Sequence, residues 1–133
     1  MRVQLQGRVK IYPTEDSEKV RQAVGNLFPL SKMELAEEGN SKVLTFGGEG
    51  RESLARLQAV LRQEHIRDAV RRVLHEKIEG GRIRFCLNKQ VAYVGRVSIC
   101  EPSGESPLGP IEVEIETDDP RGLIDWLSPA SPT

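Results

Sequence analysis

The chain is predicted to be an α+β protein, a two-layer sandwich in which helices cover one face of a largely antiparallel sheet. Three observations point there. Apolar residues alternate with period two near both ends of the chain and again in its middle, which is the spacing of strands. Helical stripes lie between those strands without alternating strictly with them, so a regularly wound parallel sheet is not indicated. The alternating stretches also carry one apolar and one charged face, as antiparallel strands with a single wet face do. At 133 residues the length suits one domain, read as residues 1–128 with a flexible tail at 129–133.

Val3, Leu5, Val9 and Ile11 alternate with Arg2, Gln4, Arg8 and Lys10 and define the first strand, which Pro13 and Thr14 end. Thr14 is read as the N-cap of a first helix, with Glu15 and Asp16 at its positive end and Val20, Ala23, Val24, Leu27 and Phe28 as its apolar stripe, before Pro29 stops it. Met33 and Leu35, then Leu44 and Phe46, mark two short strands joined through Gly39-Asn40-Ser41 as a hairpin. Gly47-Gly48-Glu49-Gly50 lacks the Gly-Lys-Ser/Thr ending of a phosphate loop and is read as a flexible strand-to-helix turn. Leu54, Leu57, Val60 and Leu61 define a second helix. Ile66, Ala69, Val70, Val73, Leu74 and Ile78 define a third, closed by Gly80-Gly81, with residues 63–65 as an alternative kink in one continuous helix.

Ile83, Phe85 and Leu87 then alternate with Arg82, Arg84 and Cys86 in a strand, and residues 91–99 are expected to continue as extended chain with a bulge or turn near Gly95. A loop at 102–110 leads to Ile111, Val113 and Ile115 alternating with Glu112, Glu114 and Glu116, the clearest amphipathic strand. Asp119 caps a last short helix with Pro120 in its first turn, packed through Leu123, Ile124, Trp126 and Leu127.

Composition excludes several classes. Apolar and charged fractions of 38% and 29% belong to an ordinary globular chain. No apolar run approaches the ~20 residues of a membrane span and no signal-peptide block opens the chain, so a cytoplasmic location is expected. Cys86 and Cys100 are too few for a disulfide framework or metal cage and are expected as reduced, partly buried thiols. His65 and His75 lack partners at zinc spacing. Catalytic fingerprints are missing, so neither an enzyme nor a cofactor is expected.

Charge is distributed unevenly under a net value of -1. Residues 62–96 hold nine cations against four acids, whereas the chain from Val97 onward holds Arg121 alone against eight acids. A polyanionic partner fits such asymmetry. Arg67 and Arg71, four apart on one side of the third helix, suit a phosphate backbone. Arg82, Arg84, Lys89 and Arg96 extend the cationic set, Asn88 and Gln90 suit sugar hydroxyls or base edges, and Tyr93 suits stacking on an unpaired base. Two structural readings stand beside this. Arg82 and Arg84 can pair across the sheet with Glu112, Glu114 or Glu116, and Arg72 has helical spacing to Glu76. Tyr93 and Trp126 can anchor the core.

The segments Pro13-Thr-Glu-Asp, residues 82–97, Ser106-Pro-Leu-Gly-Pro-Ile and Asp125-Trp-Leu resemble an archaeal group of small proteins, uncharacterised protein family 0201, over nearly the whole chain. The resemblance implies a fold similar to the five-S-RNA-binding ribosomal protein and RNA binding without catalysis. It transfers no catalytic residue; Asn88, Lys89 and Gln90 match the family's polar signature, and Leu108, Gly109 and Pro110 its loop. The expectation is therefore a structured-RNA-binding protein using Arg67, Arg71, Arg82, Arg84, Asn88, Lys89, Gln90 and Arg96. The alternative is a protein-interaction domain or homodimer that sets the basic helix of one chain against the acidic strand face of another. A small phosphate-handling enzyme, with Asn88 near Arg84, is the third reading.

Overall fold

The computed structural model describes residues 1–29, 32–63, 66–100 and 109–130. Strand β1 (Val3–Ile11) is followed by helix α1 (Ser17–Leu27), the hairpin β2 (Met33–Glu38) and β3 (Ser41–Glu49), a 3₁₀ turn (Arg51–Leu54), α2 (Ala55–Gln63) and α3 (Arg67–Glu76). Then come β4 (Ile78–Glu79), β5 (Arg82–Asn88), α4 (Lys89–Tyr93), β6 (Ile99–Cys100), β7 (Pro110–Thr117) and α5 (Pro120–Leu127). All strand pairs are antiparallel, in the order β2-β3-β1-β7-β5-β4, with the two short strands β4 and β6 sharing the outer edge of β5. The first and last strands thus lie side by side at the centre.

Period two decides which face meets the helices. Val3, Leu5, Val9 and Ile11 of β1, Ile83, Phe85 and Leu87 of β5, and Ile111, Val113 and Ile115 of β7 are all buried. They form one core with Val20, Val24 and Leu27 of α1, Leu57 and Leu61 of α2, Val70 and Leu74 of α3, and Leu123, Ile124 and Leu127 of α5. Burying this apolar surface is the main favourable term in folding. Trp126 and Tyr93 sit half-buried at the margin of that core, as anchors. Gly7 occupies an inward position of β1 because Phe46 lies directly across from it and its ring fills the space a side chain would need. The Phe46 ring in turn packs on Phe28 of α1 at 5.0 Å between centroids.

Several boundaries differ from those read in the sequence. Asp16, not Thr14, caps α1, its Oδ1 accepting from the Glu18 N–H at 2.9 Å. Residues 47–49 do not form a flexible turn but continue β3, because Gln4, Leu5 and Gln6 of β1 stand opposite and supply backbone partners. Helix α3 ends at Glu76, and Ile78 enters β4 instead, since the edge of β5 offers a ladder for it; Gly80, with φ 63°, makes the hairpin turn between them. Residues 89–93 are helical, not extended: the Asn88 side chain caps them by accepting from the Val91 N–H at 3.0 Å. The Gly39 turn and the Asp119 cap with Pro120 behind it are as read. The expected kink at 63–65, most of the loop at 102–110 and the end of the tail lie outside the described residues.

Since a methyl group at Gly7 would penetrate the Phe46 ring, Gly7→Val is expected to lower stability by about 1–3 kcal/mol through overpacking. Urea unfolding monitored by circular dichroism checks this, and an unchanged midpoint would contradict the packing described.

Candidate nucleic-acid interface

The side of the sheet away from the helices carries the outward residues of β5 and β7, and the register between those strands sets Arg84 opposite Glu114 and Arg82 opposite Glu116. Arg84 Nε donates to Glu114 Oε1 at 2.7 Å and Arg82 Nη1 stands 3.8 Å from the same oxygen. The hydrogen bond to Glu114, then the charge of that carboxylate, holds the Arg84 pKa above its ordinary value. Arg8 on β1 pairs with Glu38 at 3.1 Å and approaches Glu112 at 3.8 Å. A basic surface expected from Arg82 and Arg84 is therefore corrected: β7 brings carboxylates across from them, and the face alternates in sign. It encloses a hollow of about 680 Å³ whose walls include Arg8, Thr45, Lys77, Arg84, Cys86 and Glu114.

Arg67 and Arg71 lie on the other side of the sheet. They turn toward α5, where Arg71 pairs with Asp125 at 2.5 Å and the Ser128 hydroxyl donates to the Arg67 carbonyl at 2.7 Å. The Arg67 Nε is buried without a hydrogen-bond partner. This pair is a seam between two helices rather than a row aimed at solvent, and the sheet separates it from Arg82 and Arg84. Arg72 is exposed, and no ion pair joins it to Glu76 among the described residues. The intrachain pairs also engage Glu112, Glu114 and Arg71, groups that the alternative reading would join between two chains.

The polar run at the end of β5 divides into three roles. Asn88 caps α4, Gln90 is exposed, and Lys89 is completely buried. The placement of Lys89 corrects its expected part in a solvent-facing contact. Continuing the inward set Ile83, Phe85, Leu87 by two residues already points at position 89, a signal present in the sequence. The Lys89 ammonium donates to the Lys10 carbonyl at 2.7 Å and to the two Glu15 carboxylate oxygens at 3.0 and 3.3 Å, with the Tyr12 ring 5.6 Å away. Glu15 also accepts from the Tyr12 N–H at 3.0 Å.

Burial lowers the Lys89 pKa, while the hydrogen bond and charge of Glu15 oppose that shift. Burial, followed by the charge of Glu15, raises the Tyr93 phenol. Gly109 reaches the same corner, since a methyl there would sit 3.8 Å from the Tyr12 hydroxyl, and Pro110 pairs with Asn88. Three marker segments far apart in sequence thus meet around one buried ion pair. Arg96 is exposed, in the segment between α4 and β6. Among the described residues no group of three or more His, Cys, Asp or Glu side chains is arranged to hold a metal, and no helix is long and apolar enough to cross a membrane.

A family model described as RNA binding matches residues 4–117. A UPF0201 protein of Methanopyrus kandleri is 51% identical over 128 residues, covering 90% of this chain and 80% of that protein. The chain belongs to the UPF0201 family. A second UPF0201 relative, from Sulfurisphaera tokodaii, is 44% identical over 121 residues, covering 91% of this chain and 83% of its own. Among solved structures, the UPF0201 protein from Methanococcus jannaschii superposes with a TM-score of 0.85 at 31% identity, covering 97% of this chain and 95% of that one. The UPF0201 fold is thus the α+β sandwich described above, and its relatives here are archaeal.

Removing one partner of a buried ion pair leaves the other uncompensated, so Lys89→Met is expected to cost about 3–5 kcal/mol, with Lys89→Met/Glu15→Gln recovering part of it. Chemical denaturation of the three proteins checks this; a double variant worse than the single one would contradict the pairing. Because the folded pKa of Lys89 lies below 10.5, the unfolded chain holds more protons in the window beneath that value. The contribution of Lys89 is thus fullest above pH 10.5 and is lost as pH falls through the lowered folded value. Stability of the wild type relative to Lys89→Met, followed as pH is raised toward 10.5, should increase.

Proposed function

We propose that this UPF0201 protein binds structured RNA through the solvent side of its helix layer, by contacts to the phosphate backbone. The match of residues 4–117 to a family described as RNA binding carries the reading. Arg8, Arg82 and Arg84 on the open sheet face stand against Glu38, Glu112 and Glu114, and Arg71 against Asp125, so each of these would have to give up a carboxylate to meet phosphate. Lys19 and Arg21 on α1, Arg62 on α2 and Arg72 on α3 are exposed and join no ion pair among the described residues. Helices α1, α2 and α3 are neighbours in the layer, which spreads these charges over one side of the protein. Side chains of this kind release counterions when they neutralise phosphates, giving affinity that is indifferent to sequence and falls steeply with salt.

Fluorescence anisotropy with duplex and hairpin RNA across a salt series tests the proposal. Arg62→Glu/Arg72→Glu is expected to weaken binding roughly tenfold or more at low salt for every sequence and to flatten the salt slope. Arg84→Gln, in which Glu114 loses a partner but no solvent-facing charge is removed from the helices, should bind like the wild type. Absence of binding at low salt, or binding without a salt slope, would overturn RNA binding of this kind; a loss confined to Arg84→Gln would move the interface to the open sheet face.

A further inference from the structure

Cys86 of β5 and Cys100 of β6 stand directly opposite one another, and neither is joined in a disulfide. We propose that this pair is a site of reversible thiol–disulfide exchange, closing an intrachain bond between β5 and β6 when a disulfide-bearing oxidant enters the hollow on the open sheet face. Position 86 shares its parity with Arg82 and Arg84, so its side chain points away from the helices, and both cysteines line the 680 Å³ hollow. Cys100 is half-buried and Cys86 is 7% exposed. Cys100 is therefore the thiol reached from solvent, with the buried Cys86 beside it on the wall of the hollow.

The backbone geometry suits a bond that forms and breaks. Asn88 N–H donates to the Ser98 carbonyl at 2.8 Å, which makes 88/98 and, two residues along, 86/100 hydrogen-bonded pairs of the antiparallel ladder. Such pairs have Cα atoms about 5.5 Å apart, within the range that disulfides occupy. Their Cβ atoms are wider than the ~3.8 Å a relaxed disulfide prefers, so β6 must draw inward by about 1 Å. A two-residue edge strand that pairs with β5 alone among the described strands can make that shift, and the residual strain keeps the bond reducible. In the exchange, the more accessible Cys100 thiolate attacks a sulfur of the oxidant, forming a mixed disulfide and releasing one thiol. The Cys86 thiolate then attacks the Cys100 sulfur and expels the second thiol, so two protein thiols are oxidised and one disulfide is reduced to two thiols. Arg84 and Lys77 share the walls of the hollow with Glu112 and Glu114, and Glu112 stands across from Cys86, so the exchange relies on the reach of Cys100 and not on a positive field at the sulfurs.

The test is incubation of the folded protein with oxidised and reduced glutathione in varied ratio, followed by alkylation and intact-mass and peptide analysis. The expected result is a 86–100 cross-linked peptide, no alkylated thiol in the oxidised protein, full reversal by dithiothreitol, and a melting temperature raised by up to roughly 10 °C for closing a loop of about 15 residues, less whatever strain the bond carries. Cys86→Ser should instead accumulate glutathione on Cys100, because no second thiol resolves it. Two alkylated thiols under oxidising conditions, glutathione persisting on Cys100 of the wild type, or a bond found only between two chains on a non-reducing gel would each overturn the proposal.

Discussion

The Lys89 ammonium is held where water does not reach it, between the Glu15 carboxylate and the Lys10 carbonyl, and three parts of the chain depend on that arrangement. Taking an ammonium out of water costs several kcal/mol unless charge and hydrogen bonds replace the lost solvation. Here Glu15 supplies the countercharge, the carbonyl at the end of β1 supplies a second acceptor, and the face of Tyr12 lies alongside. Meeting those demands fixes the turn between β1 and α1, the passage from β5 into α4 and, through Gly109 and Pro110, the entry to β7. Three of the family's four marker segments coincide with these places. Their shared role in this structure is architectural, which explains why residues that look like an exposed polar signature lie at a buried corner.

Charge on the two sides of the sheet is managed differently. On the open side the register of β5 against β7 sets cations across from carboxylates, and cross-strand pairs of this kind stabilise an antiparallel sheet while cancelling its field. On the helix side the cations project from separate helices, and Arg71 of α3 finds an acid, Asp125, on α5. In a chain that is nearly neutral overall, the open face thus pairs Arg8, Arg82 and Arg84 with carboxylates, whereas Lys19, Arg21, Arg62 and Arg72 of the helices join no ion pair among the described residues.

The architecture was legible because it rests on local periodicity. Alternation in β1, β5 and β7 and the stripe of α1 name buried residues correctly, the α3 stripe does so for Val70 and Leu74 but not for the exposed Ala69, and Asp119 with Pro120 announces the start of α5. Misread boundaries have a common origin: Ile78 fits both a helical stripe and a strand, residues 47–49 look like a loose turn until β1 lies beside them, and residues 91–93 look extended unless Asn88 is recognised as a cap. In each, a local ambiguity is resolved by a partner from elsewhere or by a single side-chain hydrogen bond. The interface residues fared less well, because exposure of a cation depends on what the fold sets across from it.

Residue order alone determined the fold class, the inward face of β1, β5, β7 and α1, and the presence of a cationic middle and an acidic end, since each follows from spacing along a few turns or pleats. Tertiary structure decided which charges remain available. Arg84 meets Glu114 thirty residues away and Lys89 meets Glu15 seventy-four away, pairings set by strand register and by the closing of the sheet over α1 and α4. Coulombic and hydrogen-bond partners act over a few ångströms of space, whatever their separation along the chain, so no local pattern could assign them.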